Sequence, residues 1–302
     1  MGRADEYICD KNTVVIGRKG SINNPIYVTE PFWNVDTAFG LVANPQILMP
    51  KYLYYFCVNF DFEKLNTTVT IPSLTKANLL QIEIQVPPLD KQNEIIKILE
   101  SIDRLIENKN KQKEKFEQLV KSRFIEMFDG KYTTRTLDYV CEELFAGGDV
   151  KKDISSDIKS DEYPYPIYTN GEKNNGLYGY TSKARVFKEA VTISGRGTIG
   201  FTCLRKEPFY PAVRLIVAVP NQELVSGCYL QHFIQSKNYG GQGASIPQLT
   251  VPMIKEEAIP VPPIELQNQF AAFVEQTDKS KYCSYRIINI VRKLIEKVMK
   301  YE

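Results

Sequence analysis

The sequence predicts a mixed α/β (α+β) fold: two similar globular domains separated by two long helices that pair as an antiparallel coiled coil, about a pseudo-two-fold axis. Three observations predict it. The chain repeats itself: Ile71-Pro72-Ser73-Leu74-Thr75 returns as Ile246-Pro247-Gln248-Leu249-Thr250, Val86-Pro87-Pro88 as Val261-Pro262-Pro263, Gln92-Asn93 as Gln267-Asn268, and Asp103 as Asp278. Every pair is 175 residues apart, and 12 of the 33 positions from Ile71 to Asp103 are identical. A repeat of that length is a domain rather than a solenoid unit. Each Val-Pro-Pro then opens a long amphipathic stretch, and short β-branched or aromatic runs bounded by Gly, Asn and Pro precede both.

Taken in order, residues 1–88 form the first domain. Thr13–Ile16 and Ile26–Val28 read as strands, and Leu53–Phe60 as a short helix. Pro87-Pro88 stops the chain and Asp90 is a suitable helix cap. No Pro or Gly follows until Gly130, and Ile95, Ile98/Leu99, Ile102, Leu105/Ile106, Phe116, Leu119/Val120, Phe124 and Met127 keep a spacing of three to four. This is a helix of about 39 residues, ~58 Å long, assigned to 89–130. The second domain, 131–263, holds strand candidates Val191–Ile193, Phe201–Leu204 and Leu215–Val219 and a short helix Cys228–Ser236. The last segment, 264–302, repeats the helical stripe through Phe270, Phe273/Val274, Thr277, Ser284/Tyr285, Ile288, Val291, Ile295 and Val298. Two stripes of similar length can bury one another; the alternative is that each packs only on its own domain. The copies are unequal: ahead of its Gly-rich loop the second has Lys131–Ala190, the first only Met1–Thr13.

Composition narrows the function. With 302 residues, 43% hydrophobic and 25% charged, this is an ordinary globular chain. The N-terminus lacks the apolar core of a secretory signal, and the longest apolar runs are strand-sized. Six scattered cysteines indicate neither a disulfide framework nor a zinc knuckle, and suit reduced thiols in a cytoplasmic protein. A single histidine, His232, sits in an apolar stretch, so histidine-based triads and metal sites are not expected. A net charge of +2 is weak for a nucleic-acid binder, and no segment forms a basic arm.

Two glycine-rich turns carry Arg and a hydroxyl: Gly17-Arg18-Lys19-Gly20-Ser21-Ile22 and Gly195-Arg196-Gly197-Thr198-Ile199. Arg18, Lys19, Ser21, Arg196 and Thr198 suit phosphate oxygens or base edges; a tight structural hairpin with an outward Arg fits equally. Neither loop has a Walker or dinucleotide signature. Between Tyr163 and Tyr180, Tyr168, Asn170, Lys173 and Asn174 mix aromatic, amide and basic groups, a chemistry that can stack on and hydrogen-bond to bases. A Tyr-rich core edge is the other reading. Gln242 and Ser245 lie in Gly240–Ser245, either a contact loop or a linker. Asn24-Pro25-Ile26-Tyr27 is one residue away from an amino-methyltransferase motif, without a cofactor loop, and reads as a turn.

Together these residues resemble the specificity subunit of type I restriction–modification systems. The resemblance rests on Gly17–Ile22, Phe32-Trp33-Asn34-Val35-Asp36-Thr37-Ala38-Phe39-Gly40, Ile-Pro-x-Leu-Thr leading to Val-Pro-Pro-x-x-x-Gln-Asn, the helix ending Arg123–Phe128, and the second copy. It implies two target recognition domains, each reading one half of a bipartite double-stranded DNA sequence, with paired helices setting the spacing. It further implies two modification (methyltransferase) subunits docked on this chain, with restriction (motor-nuclease) subunits added for cleavage. S-adenosylmethionine, ATP and magnesium would be bound by those partners, this chain itself being non-catalytic and needing no cofactor. Against the family pattern the first recognition domain is short at its start. Two other readings are a coiled-coil assembly protein without DNA contact, and an enzyme with its site in the Gly-Arg loops.

Overall fold

The computed structural model describes residues 5–66, 71–150, 155–237, 239 and 248–300. The chain divides into two compact units, Met1–Glu114 with Lys281–Glu302, and Lys115–Ser280. Each unit therefore contains part of both long helices.

In the first unit, β1 (Thr13–Gly17), β2 (Ile26–Val28) and β3 (Ala38–Leu41) form an antiparallel sheet in the order β2-β1-β3. Val14 and Ile16 of β1 are buried with Leu53 and Cys57 of α1 (Pro50–Asn59), Phe62 and Leu74. Proline at the start of α1 fits because the first turn has no hydrogen bond for it to break. A one-turn helix, α2 (Lys76–Leu79), is capped by the Thr75 hydroxyl, which accepts from the Asn78 N–H at 3.2 Å. The long helix α3 (Leu89–Phe128) then begins, as its apolar spacing requires. Its Ile95, Ile96 and Leu99 are buried against Tyr52 and Tyr55 of α1. Ile295, from the far end of the last helix, packs on the same cluster.

The second unit opens with β4 (Thr134–Thr136), α4 (Leu137–Val140) and β5 (Cys141–Ala146), followed by β6 (Ser155–Ser156), β7 (Tyr165–Tyr168) and β8 (Leu177–Thr181). Then come β9 (Ala190–Ile193), β10 (Thr202–Arg205), β11 (Tyr210–Pro211), β12 (Ile216–Pro220), α5 (Gly227–Ser236), α6 (Val251–Ile254), β13 (Ala258–Pro260) and the last helix, α7 (Ile264–Lys300). Its main sheet runs β10-β9-β12-β5 and is antiparallel throughout. Alternation along the strands feeds two cores. Val191, Ile193, Ile216 and Ala218 face α5, while Ala190, Val217 and Val219 face Tyr168, Val186 and Phe209. A second sheet, β11-β7-β8-β6, and the pair β13-β4 complete the unit. Phe124 and Phe128, near the end of α3, meet Tyr229 of α5 and Phe270, near the start of α7, with ring centroids 4.8–5.7 Å apart.

The start of α3 thus meets the end of α7 in one unit, and the end of α3 meets the start of α7 in the other. The helices pair antiparallel, and each also packs on the short helix of a unit.

The repeated residues hold equivalent joints. Gln92 is fully buried. Its Oε1 accepts from the Met49 N–H at 2.7 Å, and its Nε2 donates to the Ile47 and Pro87 carbonyls at 2.8 and 2.7 Å. Gln267, also fully buried, accepts from the Ser226 N–H at 2.8 Å and donates to the Leu224 and Pro262 carbonyls at 3.0 and 2.8 Å. Each glutamine ties the Pro-Pro entry of a long helix to the lead-in of the short helix beside it.

Candidate nucleic-acid interface

The glycine loops follow β1 and β9, and backbone hydrogen bonds fix how they correspond. The Leu74 N–H donates to the Arg18 carbonyl and the Leu249 N–H to the Gly195 carbonyl, both at 2.9 Å. Gly20 and Gly197 both take positive φ, 75° and 68°, a region that favours glycine. Upstream, Cys9 bridges Phe32 and Val186 bridges Phe209. Strand register, glycines and bridges place residue n of the first unit at n + 177 in the second (16 to 193, 20 to 197, 32 to 209), while the Leu74 and Leu249 donors behind the loops keep the 175 spacing of their repeat. Lys19-Gly20-Ser21-Ile22 is therefore the counterpart of Arg196-Gly197-Thr198-Ile199. Matching Gly17-Arg18 to Gly195-Arg196 by letter is out by one.

At both loops the tip is exposed. Lys19 and Ser21 in the first, and Arg196 and Thr198 in the second, point a cation and a hydroxyl outward beside the glycine. The Ile-Pro-x-Leu-Thr repeat is the backstop. Lys19 is bridged to Ser73, and the Arg196 Nη2 donates to Oε1 of Gln248 at 3.1 Å. Arg18 sits behind the first tip, its N–H donating to the Thr37 carbonyl at 2.8 Å and its Nη1 reaching the Asp36 carbonyl at 3.4 Å.

Around the second loop the structure brings three segments together. The Asn170 Oδ1 accepts from the Gly195 N–H at 2.8 Å, and its Nδ2 donates to the Val213 carbonyl at 2.6 Å. The Ser194 Oγ accepts from the Gly171 N–H at 3.0 Å. Val213 and Arg214 both have positive φ, 50° and 61°, which is strained for side chains that carry a Cβ. Arg214 is exposed and, with Gln248, belongs to this cluster; neither carries a local sequence signal. Lys173 and Asn174 are exposed on the β7–β8 turn, where Asn174 and Asn175 have φ of 50° and 52°.

Tyr168 is placed differently from a base-stacking platform. Its ring is buried, with the Arg205 guanidinium 3.6 Å from its centroid and Phe209 at its edge. Its hydroxyl donates to Glu207, and burial raises its pKa. Arg205 also donates to the Thr192 hydroxyl at 3.1 Å and the Asn175 carbonyl at 2.5 Å. This buried cation holds the Asn174-Asn175 turn in place. Gln242 and Ser245 lie outside the described residues.

The family model described as type I restriction modification DNA specificity domain matches residues 1–118 and again 130–290. The chain belongs to that family. A Mycoplasma pneumoniae protein carrying the name of a type I specificity subunit is 28% identical over 294 residues, covering 91% of this chain and 87% of its own. One from Haemophilus influenzae, named as a type I restriction enzyme specificity subunit, is also 28% identical, over 89% and 76%. Among solved structures, a type I restriction–modification S subunit from M. genitalium matches 99% of this chain and 84% of its own, with a TM-score of 0.58 at 18% identity. A chain from a structural study of type I R-M complex assembly matches 96% and 81%, with a TM-score of 0.61 at 15% identity. At such identities these likenesses speak for the fold: the specificity-subunit architecture of two units with long paired helices. No helix among the described residues is long and apolar enough to cross a membrane.

Proposed function

We propose that this chain is the DNA sequence-recognition subunit of a type I restriction–modification complex, reading a bipartite double-stranded target. The carrying observation is that the family's DNA specificity domain matches twice. Each copy presents an exposed Lys/Arg-Gly-Ser/Thr tip, backed at the same place by the repeated Ile-Pro-x-Leu-Thr segment. Cations and hydroxyls at a loop tip can bind phosphates or base edges, and a loop held by its backbone presents them without a further ordering cost.

In the second recognition domain, 131–263, Arg196, Thr198, Lys173, Asn174 and Arg214 are the contact candidates. Gln242 and Ser245, outside the described residues, are further candidates in the sequence just ahead of the repeat. Asn170, Tyr168 and Arg205 position that surface. In the first, 1–88, Lys19 and Ser21 take the equivalent places and Arg18 supports them. The long helices set the distance between half-sites. Two modification subunits dock on this scaffold, restriction subunits join for cleavage, and S-adenosylmethionine, ATP and magnesium are held by those partners.

The test is methylation profiling of a host with and without the gene, paired with gel-shift using purified modification subunits. A new bipartite methylated motif that depends on this chain is expected. Methylation of DNA by this chain alone with S-adenosylmethionine, or an unchanged methylome with an assembled complex, would overturn the reading.

A further inference from the structure

The n + 177 correspondence runs from residue 8 through α1, whose Pro50–Asn59 matches Gly227–Ser236, and within it β3 is an open sheet edge. In the second unit β12 pairs on its outer side with β5, matching Val217 to Phe145 and Val219 to Glu143. Their counterparts on β3 are Gly40 and Val42. The ladder to β1 uses Thr37, Phe39 and Leu41, so the backbone groups of Ala38, Gly40 and Val42 point outward. Those of Ala38 are taken up locally by the Val35 carbonyl and the Asn34 amide. Those of Gly40 and Val42 meet no hydrogen-bond partner among the described residues.

The same positions differ in burial between the two copies. Val219 is 3% exposed and Ala212 0%, whereas Val42 is 66% and Val35 56% exposed. Charge completes the comparison. Just ahead of β9, Lys188 pairs with Glu142 of β5. Its counterpart ahead of β1 is Lys11, exposed and without an ion pair among the described residues. The first unit thus keeps the backbone edge and the cation that in the second unit receive β5, together with Val42, whose counterpart Val219 is buried beside Phe145 of β5 and Tyr168 of β7; nothing described occupies the place. Residues 5–12 do not fill it, because Cys9 is bridged to Phe32.

We infer that the β3 edge of the first unit is a docking site for an antiparallel β-strand of the β5 kind, with adjacent apolar side chains and a carboxylate. That strand pairs antiparallel with Gly40 and Val42, places apolar side chains as Leu144 and Phe145 do, and sets a carboxylate against Lys11. Main-chain pairing supplies the affinity of such strand addition, and side-chain placement supplies its selectivity. An exposed edge of this kind is otherwise an aggregation hazard.

The probe is a fluorescent peptide copying Thr136–Gly147 with Cys141→Ser, titrated into the full-length chain and read by anisotropy and amide hydrogen exchange. Saturable binding is expected, with slowed exchange at Gly40 and Val42. Val42→Pro removes one outward N–H and should weaken binding by about tenfold or more. Lys11→Glu should weaken it too, and a peptide carrying Glu142→Lys should restore it. Lys11 lies on the surface, so this charge swap decides the matter even where Val42→Pro unfolds the unit. No saturable binding up to about 1 mM peptide, or binding indifferent to both substitutions, overturns the inference. DNA reading by residues 131–263 does not depend on this result.

Discussion

A glutamine side chain offers one carbonyl oxygen and two N–H donors, and Gln92 and Gln267 each satisfy three backbone groups with them in a fully buried setting. Replacement by leucine keeps the volume and strands all three. At about 1–3 kcal/mol for each orphaned buried group, with some relief from water, Gln267→Leu should lower stability by about 2–5 kcal/mol. Chemical denaturation of the purified chain checks this. Gln92→Leu should act similarly on the first unit. At Arg196 the expectation is the reverse. The side chain is exposed and, among the described residues, holds only Gln248, so Arg196→Ala should leave the denaturation midpoint nearly unchanged. Specific DNA affinity of the assembled complex should fall by about 1–3 kcal/mol if the guanidinium reads a base. Gel-shift at fixed moderate salt separates that from a purely structural loop, for which affinity would not move.

The loops depend on how closely their backbones can approach. A Cβ at Gly195 would lie 2.6 Å from the Leu249 carbonyl oxygen, a backbone atom that cannot swing aside. One at Gly197 would meet nothing within 4 Å among the described residues, although φ is +68° there. Gly195→Ala should therefore push the loop off its backstop and reduce both thermal stability and DNA affinity. Gly197→Ala should cost only the conformational penalty, about 1 kcal/mol. Thermal melts and gel-shifts of the two variants side by side test the ranking. These elements were partly legible in the sequence. β1, β2, β9, β10 and β12 stand where β-branched runs between turn residues put them, and both long helices begin at Val-Pro-Pro because proline ends what precedes it. The loop register was not legible, since two glycines and an arginine in each copy allow more than one pairing of letters. Backbone hydrogen bonds from Leu74 and Leu249 choose between them. Nor could tyrosine count separate a stacking platform from a core ring: Tyr168 is claimed by Arg205 and Glu207, 37 and 39 residues away in sequence.

For the molecule as a whole, the spacer role proposed for the helices predicts a change of DNA preference. Seven residues inserted after Asn110, with a matching seven near Ile288, keep both apolar stripes in phase and add ~10.5 Å to each helix. At ~3.4 Å per base pair step, an active insertion complex should prefer a target spacer longer by ~3 base pairs. Methylation profiling of the insertion strain reads this directly, and an active complex with the original spacer would show that the helices do not measure distance. The division of the chain carries one more consequence, for the order in which a ribosome can finish it. Residues 115–280 form an uninterrupted stretch, whereas the first unit needs residues 281–302 as well, with Ile295 closing on Tyr52, Tyr55, Ile95 and Leu99. During synthesis the first unit must wait for helix residues translated after Ser280, while residues 115–280 can fold ahead of it. A chain stopped after Ser280 should keep protease-resistant material from residues 115–280 and lose that from residues 5–114. The unit translated earlier would then be the one that a stop codon just after residue 280 destroys.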